Sequence, residues 1–151
     1  MCYGVTDLDV TDSFWAEADR ANSDLPTFER IVASPLQRCQ KLAHHIGAAR
    51  GLQVETHTAL IEMDFGRWEM TPWNAIPLDQ LDAWADDFLH AKPHGGESVA
   101  DLRRRVRAFL QAKLQDTLLV THSGVIRAAS DIFGHPDGWD IKTGYAEWVQ
   151  F

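Results

Sequence analysis

The sequence holds only two cysteines in 151 residues, Cys2 and Cys39, and this scarcity excludes a fold built on a network of disulfides. Cys39 falls on the apolar face of a predicted helix, and neither cysteine has the spacing of a metal ligand. No apolar run approaches the roughly 18 residues that span a bilayer, and the first residues lack the basic and apolar regions of a signal peptide. We therefore expect a cytoplasmic protein without a membrane segment.

Positive charge is also scarce, with 14 Lys and Arg against 22 Asp and Glu and a formal net charge of -8. Proteins that bind the nucleic-acid backbone need an excess of Lys and Arg, so this balance excludes a general nucleic-acid partner. An anionic substrate would need a local positive pocket to overcome the negative field. The chain length and the 45% hydrophobic composition suit one domain over residues 1–151, and no repeat or linker interrupts it.

Segments typical of strands and of helices alternate along the chain. Strands are predicted at residues 30–33, 52–56 and 117–121, with a last strand at 145–151. Helices are predicted from 35 to 51, where Ser34 is the expected N-cap, over 77–89, after a Ser98 and Asp101 capping pair, and over 125–133. This alternation favours a three-layer α/β/α sandwich built on a mostly parallel sheet.

Polar side chains follow these predicted strands where a parallel sheet binds its ligands, beyond the carboxyl ends of the strands. Arg38 lies in the first turn of its helix, an unfavourable place for a cation unless an anion is bound. His122, followed by Ser123 and Gly124, can point into the crevice, and Glu62 lies in an acidic loop near the same edge. Each residue alone also suits a structural or solvent-exposed role. Only the combination of cation, histidine and carboxylic acid indicates a phosphate pocket.

Four ordered motifs lie along the chain. Residues 34–39 are S-P-L-Q-R-C, residues 60–69 are L-I-E-M-D-F-G-R-W-E, residues 95–98 are G-G-E-S, and residues 120–127 are V-T-H-S-G-V-I-R. These segments resemble the motifs S-P-L-x-R-A/C, L-x-E-x-x-F-G-x-W-E, G-G-E-S and V-x-H-x-G-x-I/V-R of the histidine phosphatase (phosphoglycerate mutase-like) superfamily. The opening C-Y-G-V-T-D-L at residues 2–8 further resembles α-ribazole phosphatase-like members.

The resemblance implies a phosphoglycerate mutase-like fold and hydrolysis of a phosphomonoester through a phosphohistidine, with no metal or organic cofactor. It implies that Arg38 binds phosphate, that His122 stabilises the transferring phosphoryl group, and that Glu62 is the general acid and then the base for water. Ser123 and Gly124 would contact the substrate. A mutase needs a second sugar-phosphate recognition region, for which the chain has little room, so we expect a phosphatase. Its substrate would be α-ribazole 5'-phosphate, from cobalamin biosynthesis, or another small phosphomonoester.

The sequence departs from the family at its start. The family's first central strand ends in R-H-G or R-H-P and supplies the nucleophilic histidine, whereas this sequence begins at the C-Y-G that follows it. None of the seven histidines stands after a strand in that context. We therefore expect a truncated domain that lacks the first central strand, turns over poorly and has unpaired sheet edges that lower its stability or favour self-association.

Three hypotheses explain this departure. A fragment or a mis-assigned start is preferred to a pseudo-enzyme that binds a phospho-ligand without turnover. A metal-dependent hydrolase that uses the histidines comes last, because the sequence contains no H-x-H or H-E-x-x-H spacing.

Overall fold

A parallel sheet with one central strand organises the chain. The structure is a computed structural model that describes residues 1–112 and 114–151. Within them the strands are β1 (Arg30–Ala33), β2 (Val54–Thr56) and β3 (Thr117–Val120), and their spatial order is β2-β1-β3. Both pairings are parallel, and Ile31 of β1 lies opposite Val54 on one side and Leu118 on the other. The sheet therefore has β1 at its centre and β2 and β3 at its edges.

Helices cover both faces of this sheet. The α-helices are α1 (Phe14–Asp24), α2 (Gln37–Arg50), α3 (Leu78–Asp86), α4 (Val99–Leu110) and α5 (Ser123–Phe133), with short 3-10 turns at Thr58–Leu60, Gly66–Trp68, Trp73–Ala75 and Gly138–Asp140. One core cluster joins Ile31 to Cys39 and Ile46 of α2, and another joins Val32 to Leu102 of α4 and Val125 of α5. This is the predicted three-layer α/β/α sandwich. No helix among the described residues is long and apolar enough to cross a bilayer.

The start of α2 differs from the prediction. The helix begins at Gln37, and Leu36, with an extended backbone, occupies the N-cap position that was assigned to Ser34. Ser34 is fully buried, and its hydroxyl lies 2.8 Å from a ring nitrogen of His122. The Ser34 hydroxyl also accepts a long hydrogen bond from the Leu36 N–H at 3.4 Å, so it contacts both the start of α2 and the site. The other end of α2 agrees with the sequence, because Gly51 adopts a φ of 69° and ends the helix in the left-handed conformation.

The start of α4 and the end of the chain test two further predictions. Ser98 and Asp101 form the predicted capping box, in which each side chain accepts a hydrogen bond from the backbone N–H of the other. The strand predicted at 145–151 is wrong, because those residues, all of them described, contain no strand. Two aromatic residues of this segment contact distant parts of the chain instead, since Phe151 stacks on Phe133 with a centroid distance of 5.4 Å and the Tyr145 hydroxyl lies 3.3 Å from that of Tyr3.

The outer edge of β3 is open over the described residues. No other strand of residues 1–112 and 114–151 pairs with it, and Thr117, Leu118 and Leu119 are only partly buried. An edge of this kind presents unpaired N–H and C=O groups to whatever lies beside it. The site described below lies at the carboxyl end of this same strand.

Candidate active site

Three side chains meet at the carboxyl ends of β1 and β3. Ser34 follows β1 directly and His122 follows β3 after one residue, so both leave the parallel sheet at the same edge. The His122 Nε2 atom lies 2.8 Å from Ser34 Oγ. The Cys39 Sγ atom lies 3.6 Å from the same nitrogen and 3.7 Å from Nδ1. The sulfur is almost equally far from both ring nitrogens, whereas the Ser34 oxygen lies close to one of them, so the contact with Ser34 is the shorter and more directional one.

His122 is neutral in this environment. The side chain is 8% exposed. Burial is the main cause that lowers the pKa of His122 to about 3, and the charges of Arg38 and Arg105 contribute to the same shift. A neutral imidazole offers one N–H donor and one acceptor nitrogen, which suits hydrogen bonding to a phosphoryl oxygen. A bound phosphate would oppose the two arginine charges and raise this pKa.

Glu62 reaches the same region from the loop after the Thr58–Leu60 turn. Its Oε1 atom accepts a hydrogen bond from the Met63 N–H at 2.8 Å, and its Oε2 atom accepts one from the Gly124 N–H at 2.9 Å. Gly124 is the second residue of α5, so the carboxylate occupies the N-terminal end of that helix. Burial raises the pKa of Glu62, and the two backbone hydrogen bonds offset this only in part. A carboxyl group that keeps its proton to higher pH can protonate a leaving oxygen.

Gly124 is the residue that permits this approach. A Cβ atom at position 124 would lie 2.2 Å from the Glu62 Oε1 atom and 3.0 Å from its Cδ atom. The structure thus gives Gly124 a contact that the sequence did not indicate, as an N–H donor to the candidate acid. Ser123 is exposed at the first position of α5. The substrate contacts predicted for Ser123 and Gly124 stay predictions.

Arg38 is held by backbone carbonyl groups. Its Nη1 atom donates to the Thr6 carbonyl oxygen at 2.9 Å, and its Nη2 atom donates to the Gly4 carbonyl oxygen at 2.7 Å. Its guanidinium carbon also lies 5.6 Å from the centroid of the Tyr3 ring. These carbonyl groups offset the unfavourable position of a cation in the first turn of α2, so an anion is not its only compensation. A guanidinium has five N–H donors, and others remain for a phosphate.

Arg105 is a site-region residue that the sequence reasoning missed. Its side chain is half-buried, and its Nε and Nη2 atoms donate to Glu97 at 2.7 and 2.8 Å. Its other contacts are the carbonyl oxygens of Ala59, at 2.8 Å, and Glu62, at 3.2 Å. Arg105 therefore joins α4 to the loop that carries Glu62. The pair with Glu97 does not follow the three- or four-residue helical spacing that makes ion pairs visible in a sequence.

A surface cavity of about 390 Å³ opens beside Glu62. Its lining residues are Val5, Thr58, Ile61, Glu62, Asp64, Gly96, Glu97 and Arg105. Carboxylic acids outnumber the single arginine in this lining, and neither Arg38 nor His122 belongs to it. The cavity therefore suits a neutral or weakly charged organic group better than a phosphate. A second cavity of about 290 Å³, beside Arg30 and His57, touches none of the predicted site residues.

Other histidines form side-chain contacts away from His122. His45 lies 2.7 Å from Asp19, His57 accepts a backbone N–H in the turn that follows it, and His94 packs its ring against Trp68. Over residues 1–112 and 114–151, no group of three or more His, Cys, Asp or Glu side chains is placed to hold a metal ion. The metal-dependent hypothesis thus has no candidate ligand set within that part of the chain.

Arg38, Glu62 and His122 thus lie in one region of the sheet edge, and a cation, a carboxyl group and an imidazole are groups that can assist the transfer of a phosphoryl group. The family model described as the histidine phosphatase superfamily (branch 1) matches residues 1–149. Over 109 residues the chain is 33% identical to the adenosylcobalamin/alpha-ribazole phosphatase of Escherichia coli, and the match covers 66% of this chain and 53% of that protein.

Solved structures give the same result for the fold. The alpha-ribazole phosphatase from Shigella flexneri superposes with a TM-score of 0.82 at 26% identity, covering 97% of this chain and 79% of that one. A phosphoglycerate mutase from Thermus thermophilus superposes with a TM-score of 0.72 at 30% identity, covering 84% of this chain and 71% of the other. The fold is therefore of the phosphoglycerate mutase type.

The chain belongs to the histidine phosphatase superfamily. The family match runs over nearly all of its residues and includes the four motifs on which the resemblance was based. The chain spans about half the length of the curated alpha-ribazole phosphatases that it matches. The activities and substrates of those whole proteins are accordingly proposals for this chain.

Proposed function

We propose that the chain carries the phosphate-handling part of a phosphomonoester hydrolase that works through a phosphohistidine. The main support is Glu62, a half-buried residue whose carboxyl group has a raised pKa and lies on the N-terminus of the helix directly after His122. In this proposal Arg38 binds phosphate oxygens and His122 donates an N–H to the transferring phosphoryl group. Glu62 supplies the proton to the leaving group, and Ser123 and Gly124 contribute to binding.

The proposed reaction has two steps. A nucleophilic histidine nitrogen attacks phosphorus, the bond from phosphorus to the ester oxygen breaks, and Glu62 gives its proton to that oxygen as the alcohol leaves. Water then attacks the phosphohistidine and gives a proton to the Glu62 carboxylate, so that inorganic phosphate and the free histidine are formed. The sequence contains no R-H-G to supply this nucleophile. We therefore expect little turnover by these 151 residues alone.

The first substrate to test is α-ribazole 5'-phosphate, because the relatives from Escherichia coli and Shigella flexneri are described as alpha-ribazole phosphatases. The cavity beside Glu62 gives room for the alcohol part of a small ester, and its acidic lining disfavours a second phosphate group. This lining supports a phosphatase rather than a mutase. A cytoplasmic location and self-association through the sheet edges stay predictions.

A binding protein for a phosphorylated ligand, without turnover, is the second candidate function. The observation that favours it is the pair of groups suited to a phosphate, the Arg38 guanidinium and the neutral imidazole of His122, because such groups can hold a ligand without a nucleophile. This candidate predicts phosphate affinity that depends on Arg38 and no covalent intermediate.

Hydrolysis of an aryl phosphate separates the two candidates. The assay compares the 151-residue chain with a version extended at its N-terminus by an R-H-G strand, and phosphate binding is measured for both. Turnover and a trapped phosphohistidine in the extended form alone support the hydrolase, whereas binding by both forms without turnover supports the binding protein. Turnover by the short chain would show that the nucleophile is wrongly assigned, and His122 would then be the first residue to substitute. Failure of both forms to bind phosphate would refute both candidates.

Substitution of Glu62 tests the acid in the extended form. Glu62→Gln keeps the side-chain shape but removes the proton, so kcat should fall by about two to three orders of magnitude. Glu55→Gln is the matched control, because Glu55 is exposed on β2 and pairs with Arg30 at 3.0 Å. A Glu62→Gln enzyme that kept the kcat of the Glu55→Gln control would contradict the role of Glu62.

A further inference from the structure

The carboxylate of Glu69, a residue outside the candidate site, is surrounded by hydrogen-bond donors from the N-terminal segment. It accepts hydrogen bonds from the backbone N–H groups of Gly4, Val5 and Thr6 at 3.0 to 3.2 Å and from the Thr6 hydroxyl. The Phe65 N–H donates to it at 3.1 Å. Burial alone would raise the pKa of Glu69, but these hydrogen bonds outweigh it and hold the pKa below its usual value. Glu69 is therefore an anion in the folded protein.

The loop of residues 4–6 lies between this anion and a cation. Its N–H groups point to Glu69, whereas the carbonyl oxygens of Gly4 and Thr6 accept hydrogen bonds from Arg38 at 2.7 and 2.9 Å. Peptide dipoles are most stable with their N–H ends toward a negative charge and their C=O ends toward a positive one. The conformation of the loop that suits Glu69 is thus also the one that holds the guanidinium of Arg38.

We infer that Glu69 is a positioning residue, which fixes the guanidinium of Arg38 for phosphate through the loop of residues 4–6. The contacts form a continuous path of charge-assisted hydrogen bonds from the Glu69 carboxylate to the Arg38 side chain. Only the last step, from Arg38 to phosphate, rests on the proposed function. The first part of the path is a property of the structure and is tested separately.

The loop has the composition that this arrangement requires. A Cβ atom at position 4 would lie 1.8 Å from the Met63 carbonyl oxygen, so only glycine allows the backbone to pass there. Two other contacts keep the start of the segment in place without Glu69, because Cys2 donates its N–H to Thr71 and accepts the N–H of Met70, both at 2.8 Å. Loss of the Glu69 carboxylate should therefore loosen residues 4–6 and leave the rest of the chain folded.

The test measures binding of inorganic phosphate to the 151-residue chain by calorimetry for Glu69→Gln, Arg38→Ala and the double variant. A glutamine at position 69 turns an NH2 group toward several N–H donors, so the loop should lose its conformation. We expect each single variant to raise Kd about tenfold or more, and the double variant to bind no more weakly than Arg38→Ala alone. Thr6→Val, which removes one donor to Glu69 but keeps the Thr6 carbonyl group, should have a smaller effect, and Glu55→Gln should have none.

Two outcomes of the binding experiment overturn the inference. Additive losses in the double variant would show that Glu69 acts independently of Arg38, and an unchanged Kd in Glu69→Gln would show that Arg38 needs no such support. An Arg38→Ala chain that binds phosphate normally would instead overturn the proposed function. The guanidinium protons of Arg38 give a test that needs no phosphate, because NMR should show separate, slowly exchanging Nη signals in the native chain that average in Glu69→Gln. Unchanged signals in that variant would also refute the inference.

Discussion

The close contact between Gly124 and Glu62 predicts that Gly124→Ala lowers the stability of the native chain but not that of a chain without the Glu62 side chain. Alanine is favoured over glycine in a helix by at most about 1 kcal/mol, so Gly124→Ala near the start of α5 would ordinarily stabilise the protein slightly. Here the new methyl group would lie 2.2 Å from the Glu62 Oε1 atom. The carboxyl group must move by about 1 Å to restore van der Waals contact, and this movement breaks its hydrogen bond with the Gly124 N–H.

The cost follows from the burial of the group. Leaving a buried donor or acceptor without its partner costs about 1 to 3 kcal/mol, which exceeds the helix gain. Gly124→Ala should therefore reduce the free energy of unfolding by about 1 to 2 kcal/mol. In a Glu62→Ala background the clash is absent, and the same substitution should be neutral or stabilising by up to about 1 kcal/mol.

Urea unfolding at neutral pH measures both values, and the difference between them is the coupling energy. Ser123→Ala is the control, because Ser123 is the exposed neighbour in the same turn of α5 and should change stability by less than about 0.5 kcal/mol in either background. Equal effects of Gly124→Ala in the two backgrounds would refute the reasoning, since the glycine would then be required by something other than Glu62.

Three further predictions concern the surroundings of the site. The pKa of His122 is lowered from 6.5 to about 3. Its contribution to stability is therefore complete above pH 6.5, and as the pH falls from there toward 3 the free energy of unfolding should decrease by about 1.4 kcal/mol per pH unit. Urea unfolding of His122→Asn should show a flatter decline over this range. Arg105→Met breaks hydrogen bonds to a carboxylate and two carbonyl groups and should lower the free energy of unfolding by about 2 kcal/mol or more. The control Arg107→Met, on the exposed side of α4, should lower it by less than about 0.5 kcal/mol. Burial raises the pKa of Cys2 to about 11 and that of Cys39 to about 12, so a thiol reagent should label neither in the native protein and both in urea.

Local sequence patterns were sufficient to predict several strands and helix ends. β1 and β3 were predicted from their apolar, β-branched composition, and the capping box of α4 from the spacing of Ser98 and Asp101. Helix α1 escaped prediction because only Ala18 and Ala21 of its 11 residues are buried, so the sequence has no apolar stripe there. The strand predicted at 145–151 is absent because a segment with a strand-like pattern forms a strand only where another strand pairs with it.

The sequence was sufficient to predict which residues form the candidate site, but not the hydrogen bonds that hold them. Arg38, Glu62 and His122 were selected because motifs and strand ends put them near one sheet edge. The backbone groups that hold the first two are set by tertiary structure, and sequence spacing carries no trace of a carbonyl group that accepts from an arginine some 30 residues away. Arg105 was missed for the same reason, because its partners are two carbonyl groups of the loop that carries Glu62 and the side chain of Glu97, which precedes α4.

Glycine is needed in three separate motifs for the same physical reason in this structure. Each lies against the backbone or side chain of the same short segment: a Cβ atom would approach the Met63 carbonyl oxygen from Gly4, the Asp64 carbonyl oxygen from Gly96, and the Glu62 carboxylate from Gly124, at 1.8, 2.1 and 2.2 Å. The C-Y-G, G-G-E-S and H-S-G motifs therefore close on residues 62–64 from three directions. Because this segment carries the candidate acid, its position depends on all three glycines, and a methyl group at any of them would displace Glu62 or the backbone beside it. This shared packing explains why motifs that are distant in the sequence occur together, independently of which substrate the protein uses.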